Sequence, residues 1–391
     1  MPQRPIYFDC HATTPVAPEV LEAMYPYFTE RFGNPSSGGH IYGWEAAAAI
    51  DQAREIIASA IGAAPTEIVF TSGATEANNL ALKGTAEAAY GQKSHIITVV
   101  TEHNAILDPC RYLGSLGFAV TYLPVEQTGL INLAGLEAAF RPDTLLVSVM
   151  AANNEIGVIQ PLAAIGALCH ARGVYFHCDA AQALTKIPLD VQAMQIDLMS
   201  LTAHKLYGPK GIGALYVRRR QSQHGMRVNL APQLHGGGHE KGLRSGTLYT
   251  PQIVGFGAAV ALGLERMPTE QLYLQNLRDQ LWSSLQTLPE IYLNGHPSQR
   301  LAGNLNLSVG GVDSAALHLG LRSVVALSAG SACSSGNSGD PQSSHVLKAI
   351  GRSDRLARAS MRFGLGRYNT AAEVEQVASH LIDLIQRLRR Y

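Results

Sequence analysis

Seven short apolar runs rich in β-branched residues constrain this chain more than any other feature: EIVF, HIITVV, AVTYLP, TLLVSVM, VYFHCDA, DLMSLT and IGALYV, all between residues 67 and 217. Runs of this length and character read as buried strands. Helical patterns, among them PEVLEAMYPYF, AAAAIDQAREIIASAIG and LAAIGALCHARG, lie around and between them. Strands alternating with helices imply an α/β fold with a mainly parallel, doubly wound sheet covered by helices on both faces. One connection breaks the rule. The segment joining DLMSLT to IGALYV is shorter than the dozen or so residues a parallel crossover needs. The last strand is therefore expected to run antiparallel to its neighbours.

After PQIVGFGAAVALGLERM the pattern changes to a long polar helix, weaker strands around NLNLSV, a Ser/Gly loop and a closing amphipathic helix. This predicts a large cofactor-binding domain over 15–264 and a smaller α+β domain over 265–391, with the N-terminal arm, 1–14, packing on the latter. A chain of 391 residues has room for both.

The totals exclude several classes. Thirty Lys and Arg balance thirty Asp and Glu, which argues against a nucleic-acid surface or a polybasic membrane footprint. MPQRPIYFDC has no signal-peptide or transit character, and IVGFGAAVALGL is too short to span a bilayer. Five cysteines without a C-x-x-C pair fit a reducing compartment, and the expectation is a cytoplasmic protein. His235 and His239 in HGGGHE lack the helical spacing of a zinc site, so no metal is expected.

In open α/β sheets, ligands sit at the carboxyl ends of the strands. There the sequence places Lys205 after DLMSLT, Asp179 ending VYFHCD with Gln182 three residues on, His103 after HIITVV, and Asn154 after TLLVSVM. TSGATEANN follows EIVF and turns into a helix, so Gly73, Ala74 and Thr75 can offer N–H groups and a hydroxyl to a phosphate. Each has an ordinary explanation alone: a solvated turn lysine, a helix cap, a turn-forming aspartate. Together, an amine, an anion for a ring nitrogen and a phosphate cradle are what pyridoxal phosphate requires.

TSGATEANNLALKG, TEHNAILDPC, NNEIGVIQP, FHCDAAQALTKIPLD, SLTAHKLYGPKGIGALYVRR, HGGGHEKGLRSGTL and SAGSACSS together resemble the NifS/IscS group of cysteine desulfurases. The matching motifs run in order from FGNPSS to RFGLGR. The resemblance implies a fold-type-I, aminotransferase-like homodimer that takes sulfur from L-cysteine and leaves alanine. It implies Lys205 as the Schiff-base lysine, Cys333 as the sulfur-accepting nucleophile and His103 stacked on the ring. Asp179 would pair with the pyridinium nitrogen and Gln182 reach the phenolic oxygen. Thr75, Thr202 and His204 would hold the phosphate, and Thr247 the phosphate of the other subunit's cofactor. Asn154 and Arg362 would receive the substrate carboxylate; a surface ion pair is the alternative for Arg362.

Cys333 differs from the other cysteines because SAGSACSSGNSGDPQSS is a Ser/Gly run that cannot bury a side chain well, whereas Cys10, Cys110 and Cys169 sit in apolar or helical patterns. A thiolate that takes sulfur must also present it elsewhere. The implied partners are sulfur-acceptor proteins, an iron–sulfur scaffold or another thio-cofactor pathway among them. Rival readings are another pyridoxal-phosphate aminotransferase, a selenocysteine lyase and a non-enzymatic sulfur carrier. The absence of G-x-x-x-x-G-K-[ST] argues against a P-loop enzyme.

Overall fold

The computed structural model describes residues 4–219, 227–329 and 343–390. Cys333 lies outside them. The chain begins with a two-residue strand, β1 (Ile6–Tyr7). The central sheet follows: β2 (Ile68–Thr71), β3 (His95–Val99), β4 (Ala119–Leu123), β5 (Thr144–Ser148), β6 (Tyr175–Asp179), β7 (Leu198–Thr202) and β8 (Gly213–Val217). All seven apolar runs are strands.

Their order across the sheet is β2-β8-β7-β6-β5-β3-β4. Pairing is parallel from β7 to β4, while β8 runs antiparallel to both neighbours, with Thr202 opposite Gly213 and Thr71 opposite Gly213 on its other side. The short connection forces this, as the sequence implied.

Alternation along the strands feeds two cores. Phe70, Ile97, Met199 and Tyr216 join the helices Ile41–Ser59 and Leu162–Ala171 on one face. Val69, Ile96, Leu198 and Leu215 join the helices Ala74–Ala88 and Asn104–Ser115 on the other. Helices thus cover both faces, and burial of this apolar surface is the main favourable term holding the layers together.

A 36-residue helix, Thr250–Leu285, passes from one core to the next: Ile253, Phe256 and Val260 pack with the central sheet, Leu277, Leu281 and Leu285 with a separate cluster. The two helical patterns read there from the sequence are one continuous element, with Pro268 inside it. The second core belongs to a four-stranded antiparallel sheet. Its strands are β9 (Ile291–Leu293), β10 (Asn304–Val309), β12 (Ser328–Ala329) and β13 (Ser360–Gly364), in the order β12-β13-β10-β9. The strand β11 (Val325–Ala326) pairs in parallel with β1, and Phe8 enters the same core.

Candidate active site

The carboxyl ends of β2, β3, β5, β6 and β7 converge on a cavity of about 440 Å³. Among its lining residues are Gly73, Ala74, Thr75, His103, Asn154, Asp179, Gln182, Thr202, His204 and Lys205. Ten of the residues singled out in the sequence therefore share one cavity.

The cradle has a visible cause. Gly73 caps the helix Ala74–Ala88 at φ +150°, a conformation that side chains disfavour. A Cβ on the neighbouring Gly213 would fall 2.7 Å from the Gly73 Cα, so strand and helix start can approach only with glycine there. The 15-residue helix aims its first N–H groups, which lack intrahelical partners, at the cavity.

Asp179 is buried at the end of β6, with each carboxylate oxygen held. Asn78 Nδ2 donates to Oδ2 at 2.7 Å and the Ala181 N–H to Oδ1 at 2.9 Å. Asn78 was not singled out in the sequence, although it lies within TSGATEANN. A polar residue one turn inside a helix that must pack on a sheet was the available signal.

His103 caps the helix Asn104–Ser115, its Nδ1 accepting the Ala105 N–H at 3.0 Å. The neutral ring then carries its proton on Nε2. Burial pushes its pKa down, so the ring is held neutral. His204 is pushed down to about 4, by burial first and by the nearby Lys205 charge second. Its Nδ1 meets the Thr13 hydroxyl at 3.1 Å. Thr13 and Ala12 bring the N-terminal arm to the cavity wall, a contribution no local pattern announced.

Two predicted residues are placed elsewhere. Arg362, in the middle of β13, is not on the cavity lining. One terminal nitrogen donates to Asp9 Oδ1 at 2.8 Å and Ser328 Oγ at 2.9 Å, the other to the Asn154 carbonyl at 3.0 Å. Arg362 is 2 % exposed, so it is no surface ion pair, and it holds the turn that carries Asn154. Thr247 is exposed and lines a different depression, with Phe28, Phe32 and Tyr249. Among the described residues no group of His, Cys, Asp and Glu is arranged to hold a metal ion.

The arrangement fits pyridoxal phosphate. A helix N-terminus with Thr75 and Thr202 suits a phosphate, a doubly held carboxylate suits a protonated ring nitrogen, and Lys205 supplies the amine.

Comparison with known proteins gives the family. The aminotransferase class-V family matches residues 6–377. The chain is 51% identical over 387 residues to a cysteine desulfurase of Mus musculus, covering 99% of this chain and 82% of that one. It is equally 51% identical to the cysteine desulfurase IscS of Tolumonas auensis, covering 98% and 94%. Among solved structures, a NifS-like protein superposes with a TM-score of 0.88 at 36% identity, covering 99% of this chain and all of that one. SspA in complex with cysteine superposes with a TM-score of 0.81 at 42% identity, covering 93% and all of that chain. The chain belongs to the aminotransferase class-V family, within its cysteine desulfurases.

Proposed function

We propose that this protein uses pyridoxal phosphate to convert L-cysteine to alanine, passing the sulfur through a persulfide on Cys333 to an acceptor protein. The single observation that carries the reading is the cavity itself, where Lys205, Asp179, His103 and the Gly73–Thr75 helix start meet. Pyridoxal phosphate, when bound, supplies an aldehyde that condenses with amines and an electron-poor ring that accepts the electron pair left when Cα loses its proton.

The residues divide the remaining work. Gly73, Ala74, Thr75, Thr202 and His204 hold the phosphate; His204, kept neutral, donates without bringing a second charge beside Lys205. Asp179 keeps the ring nitrogen protonated. Asn154, on the cavity lining, receives the substrate carboxylate; Arg362, which lies behind that wall and donates to the Asn154 carbonyl, is the second group proposed for it. Lys205 moves the Cα proton. The Cys333 thiolate forms an S–S bond to the substrate sulfur as the substrate's Cβ–S bond breaks. The electrons of that bond stay with carbon, and His103 supplies a proton there.

We also infer a homodimer. Phe28, Phe32 and Tyr249 expose apolar surface beside Thr247, with the Phe28 and Tyr249 rings 6.4 Å apart and the exposed Tyr42 ring 5.6 Å from that of Phe32. Apolar surface of this kind favours a partner, and a second copy seated on it would carry Thr247 toward that copy's cavity. The separate cores support a cofactor-binding unit over 15–264 and a smaller unit over 265–391 with the arm. No helix among the described residues is long and apolar enough to cross a membrane. An odd number of cysteines without a C-x-x-C pair supports the cytoplasm as its compartment. An iron–sulfur scaffold is one candidate acceptor.

The test is incubation with L-cysteine and a dithiol such as dithiothreitol, which reduces the enzyme persulfide and releases its outer sulfur as sulfide. Equimolar alanine and sulfide without any keto acid support the reading, and Cys333→Ser should lose both products steeply. Alanine that appears only when a keto acid is added would make the protein an aminotransferase instead.

A further inference from the structure

Behind Lys205, away from the main cavity, lies a second and much smaller one of about 50 Å³. Lys205 lines both. The small cavity is also lined by Lys186, Cys10, Glu270 and Tyr207. Lys186 takes no part in the chemistry described above, yet it reaches one of its residues. Its Nζ donates to Gln182 Oε1 at 3.0 Å. The Gln182 amide nitrogen in turn donates to the His11 carbonyl at 2.8 Å.

These two bonds determine which way round the amide sits. Reversed, the amide NH₂ would face the Lys186 donor, and the amide oxygen would face the His11 carbonyl. Both contacts would pair like with like inside a buried site, where a polar group left unsatisfied is destabilising. An amide nitrogen carries two N–H groups, and His11 takes one. Gln182 lines the main cavity, so the second N–H is the group it can offer there. Lys186 donates whether or not it is charged. That matters because burial, and next the Lys205 charge, pushes its ammonium down to about 7.

We propose that Lys186 is a positioning residue: by holding the Gln182 amide oxygen it fixes the amide so that its second N–H meets an acceptor oxygen of the bound ring. This rests on the reading of the main cavity as a pyridoxal-phosphate site, where the acceptor is the ring's phenolic oxygen. The selectivity this creates is for a ring that bears an oxygen at that edge.

Pyridoxamine phosphate isolates the effect, because it has no aldehyde to condense with Lys205. Calorimetric binding to the full chain, freed of cofactor, would be compared for pyridoxamine phosphate and its 3-deoxy analogue. The parent should prefer the former about tenfold, the worth of one hydrogen bond to a charged acceptor. Lys186→Met should abolish most of that preference while leaving affinity for the 3-deoxy analogue unchanged, and Lys186→Arg should retain it. In a Gln182→Ala background the preference should already be gone, with Lys186→Met adding nothing. Should Lys186→Met not fold, Lys186→Leu carries the same comparison. A preference that survives loss of the Lys186 amine, or equal weakening of both ligands, overturns the proposal while leaving the cofactor reading intact. Failure of the parent to bind pyridoxamine phosphate would overturn the cofactor reading itself.

Discussion

The two sheets of this molecule handle polar residues in opposite ways. In the seven-stranded sheet both faces feed apolar cores, the polar side chains Ser148, His177 and Ser200 within the strands bond one another, and the cavity residues lie beyond the strand ends: Lys205 after β7, His103 after β3, Asn154 after β5. In the four-stranded sheet the polar residues lie within the strands. Asn304, Asn306 and Ser308 alternate with Leu305, Leu307 and Val309 along β10, and Arg362 sits opposite Asn306 in β13. The leucines enter the second core. The polar face instead grips the turn that carries Asn154: Asn304 and Asn306 both donate to the Glu155 carbonyl at 3.1 Å, and Arg362 to that of Asn154. A parallel sheet buried on both sides can afford side-chain chemistry only at its ends, whereas a small antiparallel sheet can spend one face on a polar clamp.

The largest expected effect belongs to the first region. Lys205→Ala should remove covalent attachment of pyridoxal phosphate and lower alanine production by roughly 10³-fold or more, because amine and proton carrier go together. Stability should change far less than activity, since the side chain borders a cavity on two sides. Borohydride reduction and peptide mapping give the check, and label on Lys83, Lys186 or Lys210 in the parent would remove Lys205 from its role.

Arg362→Met should reverse that balance by striking the fold as well as the reaction. It leaves the Asp9 carboxylate without its cation and opens the links to Ser328 and Asn154. Breaking a buried pair from one side costs about 3–5 kcal/mol, and partial exposure of Asp9 argues for the lower end. Urea denaturation measures it. A loss below about 1 kcal/mol would mean that the polar face is not a clamp.

The same contrast explains what could be read from sequence. The strand ends of the large sheet follow short, strongly apolar runs, so residues after them could be assigned to a site without knowing any contact. The antiparallel setting of β8 was legible from chain length alone. Asp9, Thr13 and Ser328 were not, because their places are set by pairings across hundreds of residues, as with Asp9 and Arg362. NLNLSV shows a half-buried strand, yet nothing local says that its polar side meets another unit rather than water.

His177 allows the sheets to be separated by acid. It is fully buried in β6, bridging Ser148 Oγ at 2.9 Å and Ser200 Oγ at 3.0 Å, and so ties β5, β6 and β7 together. Burial pushes its pKa down to about 4 from an ordinary 6.5, against an opposing pull from Asp179. The folded chain keeps the ring neutral while the unfolded chain protonates it. Its stabilising contribution is therefore complete above pH 6.5 and lost as pH falls through about 4, a swing of roughly 3 kcal/mol. Urea midpoints between pH 7 and 4.5 should fall less steeply in His177→Gln than in the parent. Equal slopes would assign the acid sensitivity to other groups, such as His204.

Asn78→Ala should give the smallest effect and the finest test of the contrast. Asn78 is fully buried; its Nδ2 holds one oxygen of Asp179, while its Oδ1 is buried with no partner. Removing the amide therefore deletes a charge-assisted bond and relieves an unsatisfied acceptor at once, so net stability should shift by less than about 1 kcal/mol. The Asp179 carboxylate would keep only the Ala181 N–H and lose the hold that fixes it for its proposed pairing with the ring nitrogen. Affinity for pyridoxal phosphate should fall about tenfold, and alanine formation with it. Equilibrium dialysis against the cofactor, paired with urea denaturation, reads both quantities. If stability fell as far as in Arg362→Met while cofactor affinity held, Asn78 would belong with the polar clamps, and the division of labour between the two sheets would fail at the position nearest the chemistry.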